Sequence, residues 1–215
     1  MRLYGIVGAG GFGREVMPLV EDMLASEDPA GCEIVFVDEN RELSMVNGHR
    51  VLHPDDFLAS VADRYFNITI TDSAVRERFA RDFAAADAQP FSIAAQNSVC
   101  LHGNDIGEGA IRCAYSTITS NAKIGRFFHA NIYSYVAHDC VIGDFVTFAP
   151  DVHCNGGVIV EDYAYIGTGA MLRQGTSAKP LVIGRGAVVG MGAVVTKSVA
   201  PYTTVVGNPA APLKK

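Results

Sequence analysis

From Ile106 to Leu172 every sixth residue is drawn from a small set: Ile106, Arg112, Ile118, Ile124, Ala130, Val136, Ile142, Phe148, Cys154, Val160, Ile166 and Leu172. All but Arg112 are apolar. A helix returns its buried face every ~3.6 residues and a strand alternates, so a sustained step of six belongs to neither and marks a repeat architecture. Gly107, Gly125 and Gly143 each follow a repeat isoleucine and lie eighteen residues apart. Eighteen is three sixes. One coil is therefore predicted to contain three short strands and three corners, with residues eighteen apart stacked on neighbouring coils.

The repeat occupies only part of the 215 residues, a length that accommodates one large or two small domains. The first ninety residues have another rhythm. Leu3 to Val7 reads as a strand, followed by a glycine loop, Gly8-Ala9-Gly10-Gly11-Phe12-Gly13, and a helix to about Leu24 that Pro18 should kink. Further strands are expected at Cys32–Val37, Asn67–Thr71 and Phe91–Ala94, with an amphipathic helix at Ala74–Ala85. This alternation predicts a small parallel sheet covered by helices, an α/β Rossmann-like half domain over residues 1–95, and an all-β repeat domain over 96–215. Strict phase ends at Leu172 and resumes at Ile183, so Arg173–Val182 reads as a loop inserted on the working face.

Net charge is −6, with no basic run, which argues against a nucleic-acid partner. No apolar run reaches the ~18–20 residues that cross a bilayer, and the N-terminus lacks a signal-peptide pattern, so no membrane partner and a cytoplasmic location are expected. Cys32, Cys100, Cys113, Cys140 and Cys154 show no CxxC spacing and read as reduced thiols. The Asn67-Ile68-Thr69 glycosylation triplet has no meaning without secretion.

Two features carry chemistry. The glycine loop between a strand and a helix suits a phosphate, because glycines admit close approach and the helix start offers free N–H groups; Asp38, ending the next strand, is placed to accept from a ribose or base. The alternative is a tight turn without a ligand, and a domain of about ninety residues is closer to one mononucleotide-binding half than to an NAD fold. In the repeat, His138 lies two residues past Val136, and Gly156 occupies the same place one coil later. With strands ~4.8 Å apart, the Gly156 backbone should lie one rung from the His138 side chain. A general base beside a bare N–H suits acyl transfer, the imidazole taking a proton and the N–H holding an oxyanion. Asp139 follows directly and would make the imidazole more basic. His129, His153, Cys140 and Cys154 suggest a metal, but phase scatters them, placing His153 three residues before the rung position and Cys154 inward, so no metal is expected.

The rows Ile106-Gly107, Ile124-Gly125, Ile142-Gly143, Ile166-Gly167 and Ile183-Gly184, closed by Val205-Val206-Gly207-Asn208-Pro209-Ala210, resemble the hexapeptide-repeat acyltransferases. That resemblance implies a left-handed parallel β-helix working as a homotrimer, with acetyl-CoA between subunits. Across almost the whole chain, the glycine loop, Asp38, Ala137 to Asp144 and His153 to Gly156 are similar to the NeuD/PglD-like sugar acetyltransferases. The resemblance makes His138 the base, Asp139 its tuning partner and Gly156 the N–H donor to the acetyl carbonyl. It places a nucleotide sugar against Gly8, Gly10, Gly11, Phe12, Gly13, Asp38, Glu39, Thr71 and Asn131, and CoA against Asn155, Gly156, Gly167, Gly190, Lys197 and Pro209. Thr71-Asp72-Ser73 departs from the Gly-(Asp/Asn)-Asn of many relatives, which leaves the base open. The implied activity is acetyl transfer from acetyl-CoA to the amino group of a UDP-, GDP- or dTDP-linked 4-amino-4,6-dideoxy sugar for bacterial polysaccharide, lipopolysaccharide or glycoprotein synthesis. Rival readings are a sialic acid-type O-acetyltransferase, a metal-dependent lyase of carbonic-anhydrase type, and a non-catalytic nucleotide-sugar or NAD sensor.

Overall fold

The computed structural model describes residues 1–25 and 31–213. The chain divides into two compact units, Met1–Gln96 and Asn97–Lys215.

The first unit contains β1 (Arg2–Val7), α1 (Gly11–Ala25), β2 (Cys32–Val37), β3 (Met45–Val46), β4 (His49–Leu52), α2 (Pro54–Leu58), β5 (Asp63–Ile68), α3 (Ser73–Ala85) and β6 (Gln89–Pro90). The sheet runs β3-β4-β2-β1-β5-β6. All its pairings are parallel except the β3–β4 hairpin. The central strand β1 is buried from Leu3 to Val7, as its unbroken apolar run requires when both faces are covered. Gly5 lies so close beneath Phe57 that a Cβ there would come within 2.7 Å of the ring. Helix α1 turns Gly13, Val16, Met17, Val20 and Leu24 inward at helical spacing. It is continuous through Pro18, which lies on the exposed side.

Two local expectations differ from the structure. The third strand is Asp63–Ile68, beginning four residues before the start that the apolar pattern gave it. Its polar start is held by pairing with the central strand β1, and the buried Asn67 within it is satisfied by donating to the Phe91 carbonyl and accepting from the Ile68 N–H. The stretch Phe91–Ala94 is not one strand: Gln89–Pro90 completes the sheet, and Ile93–Ala94 forms a separate short strand. The β3–β4 hairpin and α2 have too few residues to show periodicity.

The second unit is a parallel β-helix with three faces built from strands of two or three residues. Inward columns follow the predicted phase. Ala130, Phe148, Ile166, Val189 and Val205 stack on the first face; Ile118, Val136, Cys154, Leu172 and Val195 on the second; Ile106, Ile124, Ile142, Val160 and Ile183 on the third. Nearly all of these are buried in one continuous core. Arg112 occupies the inward column beside Ala130, half-buried in an early coil. Arg173–Pro180 loops out between strands Met171–Leu172 and Leu181–Ile183 and is fastened by a Thr176–Lys179 bridge; it ends two residues before the expected Val182, because Leu181 and Val182 already pair with Val158 and Ile159. The neighbouring coils stay in register.

Candidate functional site

The corner after the second face determines the geometry of the repeat domain. Position two past each inward residue is occupied in turn by Ser120, His138, Gly156, Gln174 and Lys197. Coils are tied there by main-chain bonds: the Asp139 N–H donates to Ser120 O (3.1 Å), Gly157 N–H to His138 O (3.0 Å) and Gly175 N–H to Gly156 O (2.9 Å). Among the described residues the N–H groups of Ser120, His138 and Gly156 make no hydrogen bond within the chain. The fold leaves this amide free at successive rungs, and only at Gly156 is it uncovered by the lack of a side chain. A Cβ on Gly156 would stand 2.6 Å from both Nε2 and Cε1 of His138.

His138 and Asp139 are exposed, and their Nδ1 and Oδ2 atoms are 2.8 Å apart. With Nδ1 directed at the carboxylate, that nitrogen carries the proton and Nε2 keeps its lone pair on the Gly156 side. Asp139 adopts a left-handed φ of 60°, an accessible conformation for Asp, and this turns its carboxylate back onto the ring. A groove of about 370 Å³ opens here, walled on one side by His138, Asp139 and Val141 and on the other by Gln174, Thr176 and Pro180. The inserted loop thus stands over the imidazole.

The other repeat-domain candidates separate into groups. Lys197 shares the His138 corner. Asn131, Gly167 and Gly190 lie at the corner between the first and second faces, across the second face from His138 within one chain. Asn131 there accepts from the Ile132 N–H. Pro209 is exposed near the C-terminus. Asn155 is committed to the protein itself: its Nδ2 donates to Leu172 O (2.8 Å) and its Oδ1 accepts from the Tyr135 hydroxyl (2.8 Å). The Tyr135 ring packs against His153, whose Nε2 is 2.9 Å from Asp151, and burial raises the Tyr135 pKa. Cys140 and Cys154 are buried with sulfurs 3.9 Å apart; the hydrogen bond to Cys140, reinforced by burial, pushes the Cys154 thiol well up. Among the described residues no group of three or more His, Cys, Asp or Glu is placed to hold a metal ion.

In the first unit, the glycine loop joins β1 to α1. Gly8 has φ +102°, and a Cβ at Gly13 would strike the Gly8 carbonyl, so both positions demand glycine. Nothing lies within 4 Å of a Cβ at Gly10 or Gly11, leaving room for a ligand beside Phe12 and the start of α1. Asp38 braces the loop: Oδ2 accepts from the Ala9 N–H and Oδ1 from the Asn40 N–H, both at 3.0 Å. Glu39 forms a two-pronged ion pair with Arg78 (3.0 and 3.1 Å). Thr71 is exposed after β5, and Asp72 beside it caps α3 by accepting from Ala74 and Val75. Sequence reasoning missed Thr69, whose hydroxyl reaches the carbonyls of Val7 and Gly8 at 2.9 and 3.0 Å and seats the loop. A hydroxyl just past a central strand, level with the glycine turn, was the available signal.

Comparison with known proteins adds to this geometry. Residues 5–83 match the model of the PglD N-terminal domain. The chain is 49% identical, over 100% of its length and 98% of the relative's, to a protein of Escherichia coli O157:H7 described as GDP-perosamine N-acetyltransferase. The solved structure of WeeI from Acinetobacter baumannii AYE superposes with a TM-score of 0.95 at 50% identity, covering 99% of this chain and 100% of that one. The acetyltransferase domain of PglB from Neisseria gonorrhoeae FA1090, solved with acetyl coenzyme A, gives a TM-score of 0.87 at 28% identity over 98% of each chain. The fold is a Rossmann-like half domain followed by a left-handed parallel β-helix.

Proposed function

We infer the activity from one premise: the chain belongs to the nucleotide-sugar N-acetyltransferase family that includes the E. coli GDP-perosamine enzyme. It transfers an acetyl group from acetyl-CoA to the 4-amino group of a nucleotide-linked 4-amino-4,6-dideoxy sugar, with GDP-perosamine as the foremost candidate acceptor. The observation that carries this reading is the imidazole of His138 lying against the bare backbone of Gly156, with Asp139 on its far nitrogen.

As the amine attacks the thioester carbonyl, its proton passes to Nε2 of His138, and Asp139 steadies the imidazolium through Nδ1–H. The carbonyl oxygen gains charge, and the Gly156 N–H donates to it. Collapse of the tetrahedral species breaks the C–S bond, and the imidazolium returns its proton to the departing CoA thiolate. The reaction closes without an acyl-enzyme. Lys197, on the same corner column, and Gln174 and Thr176 of the inserted loop hold CoA beside the imidazole. The nucleotide of the acceptor rests on the glycine loop, its phosphates meeting N–H groups at the start of α1. Asp38 serves that site by fixing the loop.

The protein works as a homotrimer in the cytoplasm. Asn131, Gly167 and Gly190 lie across a face from His138 in one chain, so a neighbouring subunit brings that corner to the acetyl group. Exposed Tyr115, Ile132, Tyr133 and Met171 supply apolar surface for the contact. No helix among the described residues is long and apolar enough to cross a membrane.

The test is mass spectrometry of products formed from acetyl-CoA and GDP-, UDP- and dTDP-linked 4-amino sugars, with light scattering for the trimer. One acetyl group is expected on the sugar nitrogen of the GDP-linked acceptor. Failure to acetylate any member of the panel would refute the reading.

A further inference from the structure

We propose that Tyr135 and Cys140 are positioning residues for acyl transfer, gripping Asn155 from two sides and so aiming the Gly156 N–H. The inference rests on the reading of that N–H as the oxyanion donor. The peptide joining Asn155 to Gly156 carries this N–H at one end and the Asn155 carbonyl at the other. Because the unit is planar, whatever holds the carbonyl sets the direction of the N–H.

The Cys140 thiol donates to that carbonyl at 3.2 Å. It lies fully buried beneath that peptide. One buried side chain thus holds the Asn155–Gly156 peptide at its carbonyl end. The second grip is on the side chain. The Tyr135 hydroxyl donates to Asn155 Oδ1, which fixes the amide so that Nδ2 donates to Leu172 O on the next coil. Tyr135, on the strand of the second face, and Cys140, just past the corner that follows it, approach from one coil and meet at a single residue of the next. A thiol is a weak donor, but its bond polarises the same amide that would meet the oxyanion, and linked hydrogen bonds reinforce one another.

An oxyanion donor matters in the transition state far more than in substrate binding, so a slackened grip should lower kcat and leave KM unchanged. Steady-state kinetics on the purified full chain, with thermal melts alongside, test this. Tyr135→Phe keeps the ring against His153 and removes only the hydroxyl. Its kcat is expected to fall roughly 3–30-fold, less than the ~10²–10³ lost with a whole donor, while both KM values stay within about twofold. Cys140→Ala should lower kcat by roughly 3–10-fold, and Cys140→Ser, which keeps a donor, should recover most of it. The double variant Tyr135→Phe/Cys140→Ala should lose less than the product of the single losses, because both act through Asn155.

Unchanged kcat in Tyr135→Phe would overturn the proposal. So would a raised KM at constant kcat, the mark of direct substrate contact, or equal losses in Cys140→Ser and Cys140→Ala. His138→Ala serves as the control: full turnover in that variant would remove the acyl-transfer reading itself, whereas its loss beside an inert Tyr135→Phe would remove the grip alone.

Discussion

At the corner after the third face, Gly107, Gly125 and Gly143 sit against the main chain of the next coil, where a Cβ would come within about 2.7 Å of the amide nitrogens of Arg126, Asp144 and Asp162. The rungs there repeat. Asp144 Oδ1 accepts from the Arg126 N–H and Asp162 Oδ1 from the Asp144 N–H, both at 2.9 Å, and the rings of Phe127, Phe145 and Tyr163 stack at 5.5 and 5.8 Å. At the corner after the second face, Gly156 meets an imidazole, and no residue type recurs among Ser120, His138, Gly156, Gln174 and Lys197. Both corners obey the same period and the same hydrogen-bond rules. Where each rung solves only the problem of joining coils, the solution repeats. Where one rung is proposed to perform chemistry, it departs from the pattern.

Substitutions at the two corners should therefore produce opposite effects. The largest is expected from His138→Ala, which should reduce kcat/KM by ~10²–10⁴ while the melting temperature stays near that of the parent, because the side chain is exposed. Turnover close to the parent's would remove His138 as the base. Gly156→Ala comes next: its methyl must displace the imidazole and cover the amide, and a loss of about 10² in kcat is expected in a protein that still folds. Retained kcat with a large drop in melting temperature would instead make Gly156 another structural glycine.

In the first unit, Asp38→Ala removes the bond to the Ala9 N–H of the glycine loop, so KM for the sugar nucleotide should rise roughly tenfold with KM for acetyl-CoA unchanged. A rise in both constants, measured by varying each substrate in turn, would break the assignment of that loop to the acceptor. Gly125→Ala should affect turnover least. It forces a methyl into the next coil and should cost about 1–3 kcal/mol of stability in chemical denaturation, with kcat per folded molecule preserved. Loss of kcat in that variant would erase the distinction between the corners.

How far the site could be read in advance follows from the same distinction. Phase alone put His138 and Gly156 on neighbouring rungs, because in a stacked coil a separation of eighteen residues becomes one strand spacing. In the first unit, the order strand, glycines, helix and acidic residue marked the loop. The roles of individual side chains were less accessible. Asp38 and Glu39 were expected to face a ligand; Asp38 accepts from the Ala9 N–H of the loop and from the Asn40 N–H, and Glu39 pairs with Arg78. Asn155 was assigned to CoA, yet it is tied to Tyr135 and Leu172. A side chain's partner depends on which distant residue the fold delivers, and adjacency along the chain does not contain that.

The sequence by itself determined the number of strands per coil, the inward columns and the alignment of the two residues proposed for catalysis. An apolar residue every six positions can be buried in one way only, by winding the chain around a common axis. The tertiary structure alone decided which amides are open and which side chains are committed elsewhere, and it placed the Arg173–Pro180 loop over the imidazole. Those outcomes turn on distances of a few tenths of an ångström between residues on different coils, set when the stack closes.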